Sequence, residues 1–284
     1  MATEVENVWQ DREVRFDLEP RQLKLSPGEV LVEEIDSVED TKGSNGDHGT
    51  LKVTNLRLIW YATSMPQTNL SIGYMTISNA TVDTHGSTES LNLITKNFNS
   101  KFEFIFTGTN TGESMLFAAV LKMHKAYEES KMFRDLKMRG SFMTEDGQLE
   151  LLPGEQLVER VEEVWNLSSD TDNVGVMLLT NIRVVWFSTN NNKFNVSIPY
   201  LQLAKCWIRD AKLSQTLVIE TSVLSGEYVL GYRIDSDTRL QEVCKSIQSL
   251  QETYIKKPNF GVPEAETREQ QTPGEAEAEE PEFL

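Results

Sequence analysis

The sequence predicts a mainly β protein of two tandem barrel-like domains, each closed by a C-terminal α-helix, with an acidic tail after them. Residues 25–74 recur at residues 151–200 with a constant offset of 126. In both copies apolar and polar residues alternate, which is typical of strands with one buried face, and each copy ends in a helical apolar stripe. A repeat near the size of a small domain indicates two globular modules rather than a solenoid.

The repeat is clearest in two strings of residues. Residues 27–29, Pro-Gly-Glu, return as residues 153–155. Residues 54–60, Thr-Asn-Leu-Arg-Leu-Ile-Trp, return as residues 180–186, Thr-Asn-Ile-Arg-Val-Val-Trp. We therefore expect two related surfaces, whatever one of them binds.

Both copies contain predicted strands separated by turn residues at the short spacing of an antiparallel barrel or sandwich. The Thr-Asn pairs at 54–55 and 180–181 predict tight hairpin turns, because Asn tolerates the left-handed conformation. Trp60 and Trp186 follow these turns, and a large aromatic on the buried face of a central strand indicates core. The predicted strands cover residues 29–37, 49–53, 58–61, 70–74, 91–95 and 102–107, and residues 184–187, 196–200, 217–221 and 228–232.

Two amphipathic helices are predicted at the ends of the copies. Leu116, Val120, Met123 and Tyr127 share one face of the first helix, and residues 131–139 are expected to extend it toward the linker. The predicted organisation is an N-terminal segment at 1–22, a first domain at 23–139, a linker at 140–148, a second domain at 149–258 and a disordered acidic tail at 259–284.

Composition predicts a soluble cytoplasmic protein. The two cysteines do not suggest a disulfide framework, and no segment approaches the roughly 18 consecutive apolar residues of a membrane span. The net charge is −17, and the tail holds eight Glu and one Arg, which leaves ten net negative charges on residues 1–260. This charge disfavours nucleic acid as a partner and weakens attraction to anionic membranes.

Catalytic and cofactor motifs are not found in the sequence. The three histidines, His48, His85 and His124, are scattered, and none has ligands at metal-site spacing or a nucleophile beside it. The glycines of residues 43–49 lack the Lys-Ser/Thr of a phosphate-binding loop and predict a flexible hairpin. We therefore expect no enzyme activity, no cofactor and no metal site.

The repeated strings resemble the GRAM and related pleckstrin-homology-like domains, in which a helix closes one end of a small barrel. Longer strings resemble the family of the fifth Bardet-Biedl syndrome protein; they lie at residues 9–17, 39–43, 165–170, 194–200 and 228–231. Beyond residue 262 the sequence departs from that family.

The resemblance implies a non-enzymatic adaptor or scaffold subunit of the BBSome, the coat-like complex that moves membrane proteins in cilia and acts in ciliogenesis. It also implies contact with other BBSome subunits, a place at the cilium, ciliary membrane and basal body, and affinity for phosphoinositides, notably phosphatidylinositol 3-phosphate. The alternative is a self-standing, lipid-dependent membrane adaptor of the GRAM type.

Phosphoinositide sites need several cations that converge on the phosphates, usually on the first hairpin. Glu39, Asp40 and Asp47 lie in the same loop of the first domain and nearly cancel its charge. Arg57 and Arg183 occupy the same place in both copies, so each is either a headgroup ligand or a cation that fixes the hairpin by pairing with an acid. The candidate lipid-binding residues are Lys42, His48, Lys52, Arg57, Arg183 and Lys193.

Two further groups of residues have open roles. Trp9 and Trp165 are candidate partner-binding residues, and the alternative for Trp9 is packing against its own barrel. Lys193, Lys205, Arg209 and Lys212 form either a second basic patch or a solvated face.

Overall fold

The computed structural model describes residues 11–43, 46–97, 100–110, 112, 114–168, 173–210 and 215–262. Trp9, Lys212 and the acidic tail from Pro263 onward lie outside these residues. The predictions that concern them are therefore outside what the structure describes.

The first half of the chain forms an antiparallel sheet of eight strands that is followed by a helix. The strands are β1 Val14–Phe16, β2 Leu31–Asp40, β3 His48–Thr54, β4 Arg57–Ala62, β5 Asn69–Gly73, β6 Ile77–His85, β7 Thr88–Asn97 and β8 Ser100–Thr109, and the helix is α1 Ala118–Glu129. The strand order is β1-β5-β4-β3-β2-β8-β7-β6.

The second half repeats this arrangement. Its strands are β9 Lys137–Met138, β10 Leu157–Asn166, β11 Val174–Thr180, β12 Arg183–Ser188, β13 Asn195–Pro199, β14 Leu203–Asp210, β15 Gln215–Thr221 and β16 Val229–Arg233, and its helix is α2 Asp237–Lys256. The order is β14-β15-β16-β10-β11-β12-β13-β9. The predicted mainly β class and the tandem organisation, with a helix after each sheet, are confirmed.

One bent strand joins the two halves of each sheet. β2 pairs with both β3 and β8, and β10 pairs with both β11 and β16. The register shifts inside each strand at a residue with left-handed backbone, Ser37 with φ 57° and Glu163 with φ 56°. Such a bulge bends a strand, so that one strand contributes to two halves of a curved sheet.

The short strands β1 and β9 differ from the sequence prediction. β1 lies in the predicted N-terminal segment but pairs with β5 of the first sheet. β9 lies within residues 131–139, which were expected to be helical and part of the first domain, but α1 ends at Glu129 and β9 pairs with β13 of the second sheet. The cause is local, because the Asn195 side chain and backbone accept hydrogen bonds from the N–H groups of Gly140 and Arg139 at 2.9 and 2.8 Å.

Arg134 joins the two domains between α1 and β9. Its side chain is fully buried, and Nη1 donates to Phe260 O at 2.6 Å and to Ser130 Oγ at 2.9 Å. Its own carbonyl accepts a hydrogen bond of 2.5 Å from Gln202 Nε2 of the second domain. One residue therefore ties the end of α1 both to the turn between β13 and β14 and to the chain that follows α2.

The segment after α2 packs at this junction. Phe260 and Val262 are 2% and 8% exposed and belong to the main core. A Cβ on Gly28, in the first Pro-Gly-Glu turn, would lie 2.5 Å from the Pro258 carbonyl oxygen. The sequence assigned residues 259–262 to the disordered tail, and this assignment is corrected, because two large apolar side chains are buried there.

Trp60 and Trp186 are core residues in equivalent positions of β4 and β12. Their exposed fractions are 2% and 1%, and their indole N–H groups donate to the carbonyls of Val38 and Val164, each at 3.0 Å. Each ring therefore fills the barrel and satisfies a backbone group at the bulge of the bent strand.

We expect Trp60→Ala and Trp186→Ala each to lower the free energy of unfolding by about 3–5 kcal/mol, because each leaves a large cavity. Urea denaturation followed by circular dichroism measures the change. Trp207→Ala is the matched control, since Trp207 is only partly buried on β14 and should shift the midpoint little. An unchanged midpoint for either core variant would contradict the packing described.

Candidate functional site

Each Pro-Gly-Glu turn holds a buried ion pair that the sequence did not predict in detail. In the first domain Arg57 Nε donates to Glu29 Oε1 at 2.8 Å, and Arg57 Nη2 donates to the Lys24 carbonyl at 2.9 Å. In the second domain Arg183 Nε donates to Glu155 Oε1, also at 2.8 Å. All four charged side chains have an exposed fraction of 0%.

Arg57 and Arg183 are thus not on a surface that a lipid headgroup contacts. Their guanidinium groups lie inside the protein, and each is paired with a carboxylate. The interpretation as headgroup ligands is corrected to the second alternative, a cation that fixes the hairpin. The sequence contains a signal for this pair, because Glu precedes Arg by 28 residues in both copies.

The other cations of the first hairpin are at the surface but are matched by acids. Lys42 is exposed after β2 and pairs with Glu103 of β8, which lowers the pKa of the Glu103 carboxyl below its usual range. Lys52 on β3 lies 3.6 Å from a carboxylate oxygen of Glu34. His48 is exposed at the start of β3, where it pairs in register with Glu39. The structure therefore brings three predicted cations to this hairpin in a nearly neutral setting.

The remaining predicted site residues lie in the second domain or outside the described chain. Lys193 is exposed in the turn between β12 and β13, in a different domain from the first hairpin. Trp165 is half-buried on β10, and the Arg233 guanidinium lies 4.7 Å from its ring centroid. The structure does not combine these residues with the first-domain cations into one site.

Among the described residues, no three or more His, Cys, Asp or Glu side chains come together in a group that could bind a metal ion. Cys206 and Cys244 are buried free thiols with their sulfurs 3.9 Å apart. Neither α1 nor α2 combines the length and the apolar character needed to cross a bilayer, within the described ranges.

Comparison with known proteins decides the family. The model of the Bardet-Biedl syndrome 5 protein N-terminal PH-like domain matches residues 29–129, and that of the second PH-like domain of the same protein matches residues 137–264. The chain belongs to the Bardet-Biedl syndrome 5 protein family. Both sheets are therefore PH-like domains, as the resemblance implied.

Relatives in this family align with most of the chain. BBSome complex member BBS5 of Xenopus laevis is 50% identical over 267 residues, which are 92% of this chain and 73% of that protein. BBSome complex member BBS5 of Homo sapiens is 48% identical over 274 residues, 95% of this chain and 80% of that protein. Among solved structures, the Vps36 N-terminal PH domain aligns at 18% identity and a TM-score of 0.36, covering 46% of this chain and 99% of that chain. The family assignment does not depend on this last similarity.

We expect Arg57→Met to destabilise the first domain by about 3–5 kcal/mol, because it leaves the Glu29 carboxylate buried and unpaired. The double variant Arg57→Met/Glu29→Leu should lose less than the sum of the two single changes, because no charge then remains buried without a partner. Thermal unfolding of the four proteins in this cycle measures the coupling.

The second domain provides an internal replicate of that cycle. Arg183→Met and Glu155→Leu change the equivalent pair, and Lys193→Met, at an exposed cation, controls for loss of charge. Additive effects of the two changes within each pair would show that the ion pairs are not coupled as the geometry indicates.

Proposed function

We propose that this protein is a non-enzymatic adaptor or scaffold subunit of the BBSome. The observation that carries the proposal is that family models match both PH-like domains, while relatives named BBSome complex members are about half identical over nine-tenths of the chain. A complex that moves membrane proteins in cilia acts at the cilium, its membrane and the basal body. We propose the same places for this chain.

The arrangement of the two domains suits a scaffold. Arg134 and the segment after α2 connect them through buried hydrogen bonds and apolar packing. The outer surfaces of two related sheets are then available for different neighbours, which are other BBSome subunits in this proposal.

We also propose that the protein binds phosphoinositides weakly at the membrane surface, with phosphatidylinositol 3-phosphate as the lipid. This binding is supported by the basic residues of the first hairpin, of which Lys42 and His48 are exposed and Lys52 is partly exposed. A cation near an anionic membrane contributes about 1 kcal/mol, so a hairpin whose cations are matched by Glu34, Glu39 and Glu103 contributes little alone. Lipid contact would thus add to recruitment by the complex rather than replace it.

The assembly role is tested by purification of a tagged chain from ciliated cells of its own species. We expect the other BBSome subunits to co-purify in near-equal amounts and to remain bound after detergent removes the membranes. Recovery only with membranes, and loss of all partners in detergent, would instead support the alternative, a self-standing GRAM-type lipid adaptor.

The lipid role is tested by flotation with phosphatidylcholine vesicles that contain phosphatidylinositol 3-phosphate, at low salt. The variant Lys42→Glu/Lys52→Glu should bind at least about tenfold more weakly, because two attractive charges become repulsive. Lys122→Glu/Lys125→Glu on the exposed side of α1 makes the same change in net charge and should bind like wild type. Equal binding to vesicles without the phosphoinositide would remove the lipid part of the proposal and leave the assembly part intact.

A further inference from the structure

One side of the second sheet presents an apolar and cationic surface to solvent. Strand pairing places Trp207, Val218 and Gly231 in one row across β14, β15 and β16. Leu167 continues this row, because its N–H donates to the Gly231 carbonyl at 2.8 Å. The pair Trp165 and Arg233 lies beside the row on the same side, since alternate residues of a strand share a face. We call these residues the Gly231 face: Trp165, Leu167, Trp207, Val218, Gly231 and Arg233.

This side of the sheet faces away from the core. Leu217 and Ile219, the neighbours of Val218 on β15, are fully buried core residues, whereas Val218 lies outside the main core cluster. Leu167 and Val229, which border the row, are 50% and 62% exposed. Of the face itself, Leu167 is open to solvent and Trp165, Trp207 and Gly231 are partly exposed, whereas Val218 is only 5% exposed beneath the side chains around it.

Among the described residues, no close contact or left-handed backbone requires glycine at position 231. The described strands contain five glycines, and a Cβ built on four of them would lie within 2.5 Å of another atom; these are Gly49, Gly73, Gly108 and Gly175. On Gly231 the nearest atom would be Thr216 Cγ2 at 3.5 Å, an ordinary contact, and its φ is not in the left-handed region. Glycine inside a strand costs stability and often marks the close approach of another backbone. Within the described residues, no backbone atom is among the three nearest neighbours of a Cβ built on Gly231.

The first domain contains the same positions with different residues. Thr81, Asn92 and Ile105 pair across β6, β7 and β8 as Trp207, Val218 and Gly231 do in the second sheet. Ile105 shows that the fold accepts a β-branched side chain at the Gly231 position. The aromatic and glycine residues of the second sheet are therefore not required by the fold, and their presence calls for a role outside it.

The charge of the two faces also differs. Lys205 and Arg209 flank Trp207 on β14, and the Lys205 ammonium lies 4.7 Å from the Trp207 ring centroid. The residues at the equivalent positions of β6 are Asn79 and Asp83. In a chain with a net charge of −17, this cationic surface favours an acidic ligand.

The exposed face, rather than the sheet edge, is the surface available for docking. β14 is the last strand of its sheet, but Gln248 and Gln251 of α2 donate to the carbonyls of Cys206 and Leu203 at 2.8 and 2.5 Å. These edge carbonyls are therefore occupied, and addition of a strand there would have to displace them.

The composition of the face favours protein over membrane. Trp and Arg are enriched at the centres of protein interfaces. Glu220 lies opposite Lys205 in the β14–β15 pairing, and Asp235 pairs with Arg233 at 3.5 Å, so acids are interspersed where an anionic membrane would need cations alone. A protein segment can place its carboxylates at Lys205 and Arg209 and away from Glu220 and Asp235, whereas an anionic lipid surface presents negative charge to all of them.

We propose that the Gly231 face binds an acidic, extended segment with aliphatic side chains from a protein partner. The segment would pass close over Gly231, with its aliphatic groups between Trp207 and Trp165 and its carboxylates at Lys205 and Arg209. This inference rests on the proposed function, because it assigns the partner to another subunit of the BBSome.

The test is titration of the fluorescently labelled chain into purified BBSome that was assembled without it. Gly231→Gln puts a side chain into the centre of the face, and we expect at least about tenfold weaker binding to the complex. Ile105→Gln is the matched control at the equivalent position of the first domain and should bind like wild type. Thermal melting confirms that each variant is folded, and Trp207→Ala replaces Gly231→Gln, with the same expectation, if the latter is not.

A charge variant tests the chemistry of the partner. Lys205→Glu/Arg209→Glu should also bind about tenfold or more weakly and should lose most of the salt dependence of wild-type binding. Lys122→Glu/Lys125→Glu on α1 makes the same change in net charge and should leave binding unchanged.

The outcomes separate the two proposals. Wild-type binding with equal binding of Gly231→Gln, or of its replacement, would overturn the docking face and leave the assembly role standing. A wild-type chain that does not bind the complex would overturn both. If the face variants lost binding to phosphoinositide vesicles and kept binding to the complex, the face would contact membrane, and the proposal of a protein partner would be wrong.

Discussion

In each domain a buried carboxylate–guanidinium pair fixes the Pro-Gly-Glu turn against the first residue of β4 or β12. Glu29 accepts hydrogen bonds from Arg57, from the Thr54 hydroxyl at 2.9 Å and from the Ser26 N–H at 2.9 Å. Removing two charges from water costs several kcal/mol each, and only a complete network of hydrogen bonds offsets this cost. Neither partner can vary alone, which explains why the Pro-Gly-Glu and Thr-Asn-x-Arg strings persist in both copies while the surfaces around them differ.

The same constraint explains which parts of the fold were predictable. The strands β3 and β4 contain or border the repeated strings, and the alternation along β3 and the apolar run of β4 around Trp60 identify them directly. β1 and β9 have three and two residues, too few for alternation to be visible. They are also out of register with the main repeat, because Arg15 pairs with Ser71 and Lys137 with Ser197, an offset of 122 rather than 126 residues. Four extra residues in the second copy hide this part of the duplication.

The candidate sites were harder to predict than the fold, for a physical reason. Spacing within one copy places Arg57 beside a hairpin, and only the comparison of both copies, which repeat a Glu 28 residues before the Arg, points to the carboxylate that folds against it. The role of Lys205 and Arg209 stayed open because β14 was not among the predicted strands, and a row across several strands needs the register of each one. The sequence predicts Trp165 as a partner-binding residue. Its neighbour Arg233 comes from β16, near the end of the same domain, so sequence proximity does not connect the two.

The duplication produces two sheets whose buried residues are equivalent and whose exposed faces differ. The core residues Trp60 and Trp186 and the buried ion pairs are equivalent, so they report what the fold requires. Where the copies differ, the fold does not impose the choice. On β14 the second sheet has Trp207 between two cations, where β6 of the first sheet has Thr81 between Asn79 and Asp83. We therefore attribute this difference to what each domain contacts outside itself. Because Arg134 joins the domains through Phe260 and Gln202, a partner bound to one exterior also constrains the orientation of the other. In the proposed function, this coupling holds the two faces in a fixed relation to different neighbours.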